Sequence, residues 1–262
     1  MQWLNNFFVT QVDNSNLMTG DYNYFLVALS IVLAAVASFF ALHFASIAQH
    51  IVIKKYKNIA LVSGSFIMAG GIWSMHFVGM LAFNMGHPVS YDPLLTAVSL
   101  IPSILASYVT LKRLIKPNLS IWQLLINGVF VGGGIGAMHY IGMEAMEMDV
   151  ELRYDPTWFF FSILIAVVLA FIALSTQYYV GKLWTGLSQK WVSSISALIM
   201  GSAIAGMHYT GMAGARFISS SDVEMTHMSN NPNSYLSFVV ATITLLLSIL
   251  ASNIASQLRY RQ

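Results

Sequence analysis

The 262-residue chain contains no cysteine, which excludes disulfides, cysteine-ligated zinc, iron–sulfur clusters and thiol chemistry. Charge is almost as scarce: 8% of residues are charged and 57% hydrophobic, against about 25% charged in an ordinary soluble domain. So little charge cannot coat a soluble core, and the composition defines a membrane protein. A net charge of +2 gives no basis for nucleic-acid binding. Met1 to Tyr22 lacks the basic start and short apolar run of a cleaved signal peptide, so the run from Phe25 is expected to be a retained span. There is no Ser/His/Asp set, no phosphate-binding glycine loop and no pair of carboxylates on one face. Gly132 to Gly134 lie inside an apolar run and read as helix packing. An enzyme is not expected.

Long apolar runs are present instead, at roughly 23–46, 59–83, 93–111, 120–144, 157–180, 191–214 and 235–257. Each approaches the ~20 residues needed to cross the hydrocarbon layer. The reading is an all-α integral membrane protein of seven transmembrane helices. Alternate connections carry Lys54, Lys55 and Lys57, then Lys112, Arg113 and Lys116, then Lys182 and Lys190, then Arg259 and Arg261. Only Arg153 and Arg216 fall on the other side, together with every Asp and Glu. By the positive-inside rule the N-terminus is expected outside and the C-terminus in the cytoplasm. Tyr22, Tyr91, Tyr154, Trp158 and Tyr235 mark outer boundaries, and Trp122, Trp184 and Trp191 inner ones.

The sequence repeats internally. Met75-His76-Phe77-Val78-Gly79-Met80, Met138-His139-Tyr140-Ile141-Gly142-Met143 and Met207-His208-Tyr209-Thr210-Gly211-Met212 stand near the outer ends of the three even-numbered spans. Ala69-Gly70-Gly71, Gly132-Gly133-Gly134 and Gly201-Ser202-Ala203 precede the histidines at one fixed distance, and Tyr91-Asp92-Pro93 and Tyr154-Asp155-Pro156 open two odd spans. The unit is an odd span, a basic inner loop and a motif-bearing even span, with repeats at about 22–84, 91–147 and 154–215. Residues 234–257 start a fourth, incomplete unit, between an outer segment 1–22 and a cytoplasmic tail 258–262. Two helices per unit make the three repeats parallel, related by an axis along the membrane normal. Three histidines at one depth around such an axis can approach one another, an expectation that spacing alone does not establish.

On a 3.6-residue helix, the small residue seven before each His, the Gly three after it and the Met four after it share the His face. Small residues allow close helix approach in lipid, so this face is expected to point into the bundle. His76 lies roughly 12 Å below the helix end, and an outer-side approach to it is expected. A lone His here reads as an interhelical hydrogen-bonding group; three aligned copies favour function, because ionisable groups inside a membrane are costly. His76 with Met80, His139 with Met143 and His208 with Met212 form candidate metal-ligand pairs, and Met75, Met138 and Met207 add nearby thioethers. Imidazole suits several transition metals whereas thioether selects copper(I), so copper is the expected metal and zinc is poorly served. A haem with His/Met or His/His ligands is the runner-up, although nothing places a porphyrin. One shared site and as many as three local pairs both remain open.

At these motifs the chain resembles the MHYT-domain family, from about Tyr22 to Ser256, although the name-giving tetrapeptide is complete only at Met207-His208-Tyr209-Thr210. The resemblance implies a sensory domain of the bacterial inner membrane, proposed to bind copper through motif His and Met and to sense O2, CO or NO. Relatives often carry cytoplasmic domains that make or degrade cyclic di-GMP. This chain ends at Gln262 and its inner loops are short, so a separate cytoplasmic signalling partner is expected. A copper delivery or transport protein, and a haem or redox membrane protein, are the alternatives. His43 and His50 read as interface or loop residues, and His87 and His227 as outer-loop residues among Met85, Met225 and Met228. Glu144 is either a partner to a ligand His or a boundary marker, and Met146 and Met148 are minor candidates.

Overall fold

The computed structural model describes residues 7–9, 17–86, 89–180, 182 and 188–219. Among the described residues, six helices are long and apolar enough to cross a membrane: α1 (Tyr24–His50), α2 (Lys54–Ala82), α3 (Pro93–Leu114), α4 (Ile121–Glu144), α5 (Pro156–Ser175, continued by a π-helical turn, Thr176–Val180) and α6 (Gln189–Gly214). The expected seventh span, 235–257, and the tail 258–262 lie outside the described residues. Several helices outrun their apolar segments. α2, for example, starts at Lys54 rather than near residue 59, because backbone hydrogen bonding continues where the side chains turn polar.

Local sequence sets the starts of the odd helices. Asn23, Asp92 and Asp155 stand in extended conformation just before α1, α3 and α5 and accept hydrogen bonds from the first-turn amides. Proline follows directly in α3 and α5, where its missing N–H costs nothing. The same three cap residues donate their backbone amides to Ala82, Ala145 and Gly214, at 2.8, 2.8 and 2.9 Å. Each odd helix is thereby tied at its start to the end of its own even partner.

Short strands supplement the all-helical architecture. Three antiparallel two-stranded ribbons close this end of the bundle: β1 (Asp21–Tyr22) with β2 (Phe83–Asn84), β3 (Ser90–Tyr91) with β4 (Met146–Glu147), and β5 (Val150–Tyr154) with β6 (Ala215–Ser219). Each ribbon joins the strand entering an odd helix to the strand leaving the even helix of the same repeat. Four of the strands are two residues long, too short for alternation to register in sequence.

The six helices form a closed ring in chain order, with α6 packed back against α1, and α2, α4 and α6 touch one another inside it. Glycine sets the ring spacing. A Cβ on Gly132 would meet the Val167 backbone of α5 at 2.7 Å, and one on Gly201 would meet the Ala35 backbone of α1 at 2.9 Å. The small residues seven before His139 and His208 therefore seat the odd helix of the next repeat rather than facing the bundle axis. Large apolar side chains stand outward in mid-helix, among them Val32, Phe66, Leu105, Leu164 and Leu198. Small Ala and Ser residues fill the contacts behind them, as expected where close packing rather than water exclusion holds helices together. This is a multi-pass membrane protein.

Candidate metal centre

The motif histidines come from the three inner helices, His76 on α2, His139 on α4 and His208 on α6, all near the ribbon end. They converge. Nδ1 of His76 lies 3.0 Å from Nδ1 of His139 and 3.2 Å from that of His208, and the remaining pair is also 3.2 Å apart. The rings stand nearly perpendicular to one another and are at most 1% exposed. The outer-side approach expected from helix depth is thus closed over.

The opposite edge of each ring rests on the next repeat. A Cβ on Gly142 would meet Nε2 of His76 at 2.6 Å, one on Gly211 would meet Nε2 of His139 at 2.8 Å, and one on Gly79 would strike Nε2 of His208. Each motif thus supplies a histidine to one neighbour and a glycine seat to the other. That cyclic exchange explains the shared spacing of His and Gly.

Hydrogen bonding alone cannot satisfy this triangle. An imidazole Nδ1 carries either a proton or a lone pair, so two of the three must match and face each other unfavourably. Among the described residues the three Nε2 atoms also lack a hydrogen-bond partner. A cation resolves the conflict, because three lone pairs can then point to one centre. Three nitrogens about 2.0–2.1 Å from an ion in a tetrahedral set lie about 3.3 Å apart, close to the 3.0–3.2 Å observed. The triad can hold a metal ion. Of the two arrangements left open by the sequence, the histidines form one group rather than three separate ones.

The methionines divide into two layers. Met75, Met138 and Met207 belong to the main core with the aliphatic side chains of the helices. Met80, Met143 and Met212 belong to a second cluster with Tyr154, Ala215 and Phe217, with Met18, Met85, Met146 and Met148 packed around it. Met80, Met143 and Met212 stand about one helical turn beyond the histidines. The ribbon end therefore closes the triad under a cap rich in thioethers. Met18 had no motif to mark it in sequence.

Two further groups escaped the sequence reading. Tyr140 and Tyr209 hydrogen-bond through their hydroxyls to Ser162 and Ser30 of the following odd helix, both at 2.8 Å. Phe77 has no hydroxyl, and in its repeat Trp73 Nε1 donates to Ser99 Oγ at 3.1 Å. The polar link between repeats is thus kept by a different residue one turn away. At the ribbons, burial pushes the Tyr22 phenol up to about 12, with Tyr209 adding to the shift, and raises those of Tyr91 and Tyr154.

Other candidates lie apart from the triad. Glu144 is exposed at the end of α4 and bonds no motif histidine, which fits the boundary reading. His43 and His50 sit at the opposite end of α1; His43 stacks on Phe39, and His50 donates to the Ser46 carbonyl at 2.9 Å. His87, His227, Met225 and Met228 lie outside the described residues.

Six membrane-length helices around a buried histidine triad define a multi-pass membrane protein with a metal-capable centre. The chain matches the MHYT family model, described as "Bacterial signalling protein N terminal repeat", over residues 70–126, 132–188 and 201–262, and it belongs to that family. Those matches begin with an even span and run into the next odd one, so the same three repeats are counted in a different phase. The chain is 41% identical over 77% of its length to the bifunctional diguanylate cyclase/cyclic di-GMP phosphodiesterase MucR of Pseudomonas aeruginosa. It is 37% identical over 75% to the signaling protein YkoW of Bacillus subtilis, and 34% identical over 77% to the cyclic di-GMP phosphodiesterase NbdA of P. aeruginosa. The aligned regions cover 29%, 24% and 25% of those relatives. No solved structure matches the chain.

Proposed function

We propose that the chain is a sensory module of the bacterial inner membrane that holds copper at His76, His139 and His208. Convergence of the three Nδ1 atoms on one point carries this reading. Met80, Met143 and Met212 are the thioether partners in the cap, and Met75, Met138 and Met207 those on the core side. The N-terminus and ribbons face outward and the lysine-bearing connections face the cytoplasm, in line with the charge distribution. A macrocycle fits less well than an ion, since the rings occupy the centre and close on each other within 3.2 Å.

Bound copper would supply a redox couple and a coordination position for O2, CO or NO. The protein's part is to hold three neutral imidazoles in register, to keep bulk water out with the methionine and ribbon cap, and to tie each ring to its neighbour's glycine. A ring displaced at the centre must press on the next inner helix. The signal would pass to a separate cytoplasmic partner, and the names of MucR and NbdA support an output in cyclic di-GMP turnover.

The test is metal content and optical spectrum of the purified protein, for the parent and for the triple variant His76→Ala, His139→Ala, His208→Ala. About one copper per chain, lost in the triple variant, is expected. Absence of copper with unchanged uptake by the variant refutes the site, and a porphyrin spectrum would establish the haem alternative. Copper transport, the remaining alternative, predicts copper movement across vesicles containing the parent.

A further inference from the structure

At the end of the bundle opposite the ribbons, a cavity of about 480 Å³ opens between all three repeats. Each repeat contributes one lysine to its lining: Lys57 in the first turn of α2, Lys116 after α3, and Lys182 after the π-helical turn. None of the ten Asp and Glu residues lies in these connections. Among the described residues the two ion pairs are Arg153–Glu151 and Arg216–Asp155, both at the ribbon end. The positive-inside rule explains why lysines gather at this end. It does not explain why three of them, from three separate connections, line one cavity while Lys54, Lys55 and Lys190 do not.

The cavity is also built rather than incidental. The π-helical turn, a local form common at functional sites, places Gln177 and Tyr178 in its wall. Tyr178 pins this wall to the connection after α3, donating to the Pro117 carbonyl at 2.7 Å and accepting from the Leu119 amide at 2.8 Å. Lys182 leans over the Tyr178 ring and donates to the Pro117 carbonyl at 3.5 Å. Gln177 is 7% exposed, and among the described residues only one end of its amide is satisfied, by Ser193 at 3.3 Å. Amide oxygen and nitrogen are interchangeable beside a hydroxyl that can donate or accept. A buried amide group facing this wall is left for a ligand. α2 and α6 begin here, and among the described residues no side chain caps either start, which adds the positive ends of two helix dipoles.

We propose that this cavity binds a phosphate-bearing anion, with Lys57, Lys116 and Lys182 neutralising the phosphate and Gln177 bonding a neighbouring polar group. The volume suits a headgroup-sized ligand. The phosphate belongs either to an anionic lipid of the adjoining leaflet or to a soluble compound. This site is independent of the metal reading.

Two arms on the full chain separate the sources, both in 0.15 M salt. In the first, native mass spectrometry counts phosphatidylglycerol retained after extraction from vesicles of phosphatidylglycerol and phosphatidylcholine. In the second, sodium pyrophosphate is titrated calorimetrically into the chain in phosphatidylcholine nanodiscs. The parent is expected to bind in at least one arm. Near a membrane surface each lysine contributes about a fivefold change in affinity, so K57Q/K116Q/K182Q should weaken binding about a hundredfold. The charge-matched K54Q/K55Q/K190Q should stay near the parent, because those lysines lie outside the cavity. Retention of phosphatidylglycerol alone assigns a lipid headgroup, and pyrophosphate binding alone assigns a soluble phosphate. Absence of binding in both arms, or equal losses in the two triple variants, overturns the proposal. If the cavity triple fails to fold, Lys116→Gln, at an exposed position, must still show a several-fold loss.

Discussion

At the ribbon end, three histidines from three inner helices are buried within 3.2 Å of one another under a methionine-rich cap. At the lysine end, three lysines, one from each repeat, line a cavity. The same threefold plan yields a dry convergent centre at one end and an open cationic one at the other. Side-chain reach and solvation account for the difference. Imidazoles on the inner helices have short stems and are desolvated together, a cost that a shared cation can offset. Lysines on peripheral turns retain water and long flexible stems, and so suit a larger anion.

The histidines are the most sensitive point of the molecule. Removing one of His76, His139 or His208 should weaken copper binding by more than the about 10–100-fold seen when only an outer hydrogen-bond partner is lost. Metal-to-protein ratios across a chelator series measure this. If each single variant instead lost a third of the metal, three local sites would replace one shared centre.

The glycine seats come next. Gly142→Ala would drive a Cβ against His76 Nε2 and should cost about 1–3 kcal/mol, the usual range for overpacking. Gly133→Ala points into open space and should be neutral or stabilise by up to about 1 kcal/mol. Unfolding midpoints in one detergent compare the two, and equal midpoints would show that the rings are not seated tightly.

Met80→Leu, Met143→Leu and Met212→Leu keep shape and should each cost less than about 1.5 kcal/mol, while lowering copper(I) affinity. Titration against a copper(I) chelator decides whether the thioethers are ligands or cap. The smallest loss is expected from Tyr140→Phe. Ser162 would lose one partner but keep its bond to the Phe159 carbonyl, so the loss should be about 1 kcal/mol by thermal unfolding.

Much of this was legible in the residues. The apolar runs locate six described helices, and the threefold Met-His-aromatic-x-Gly-Met spacing marks the metal-capable residues. Asp92-Pro93 and Asp155-Pro156 mark helix starts through local capping chemistry alone. The ribbons were not legible, since strands of two to five residues owe their form to partners more than fifty residues away. Substitution of the Tyr140–Ser162 link by Trp73–Ser99 in the first repeat was equally hidden, because only packing shows which residue reaches the serine.

Periodicity and hydrophobicity are local properties, so the residues alone specify a membrane protein of parallel repeats with histidine, glycine and methionine in fixed register. Tertiary structure decided that the ring closes through α1 and α6, that the three imidazoles meet at one point, and that each rests on a neighbour's glycine. It also decided that three lysines from separate repeats share one cavity while Lys54, Lys55 and Lys190 do not. These outcomes depend on how far helices approach and rotate about one another, and small residues such as Gly132 and Gly201 set those distances through contacts with residues far away in the chain.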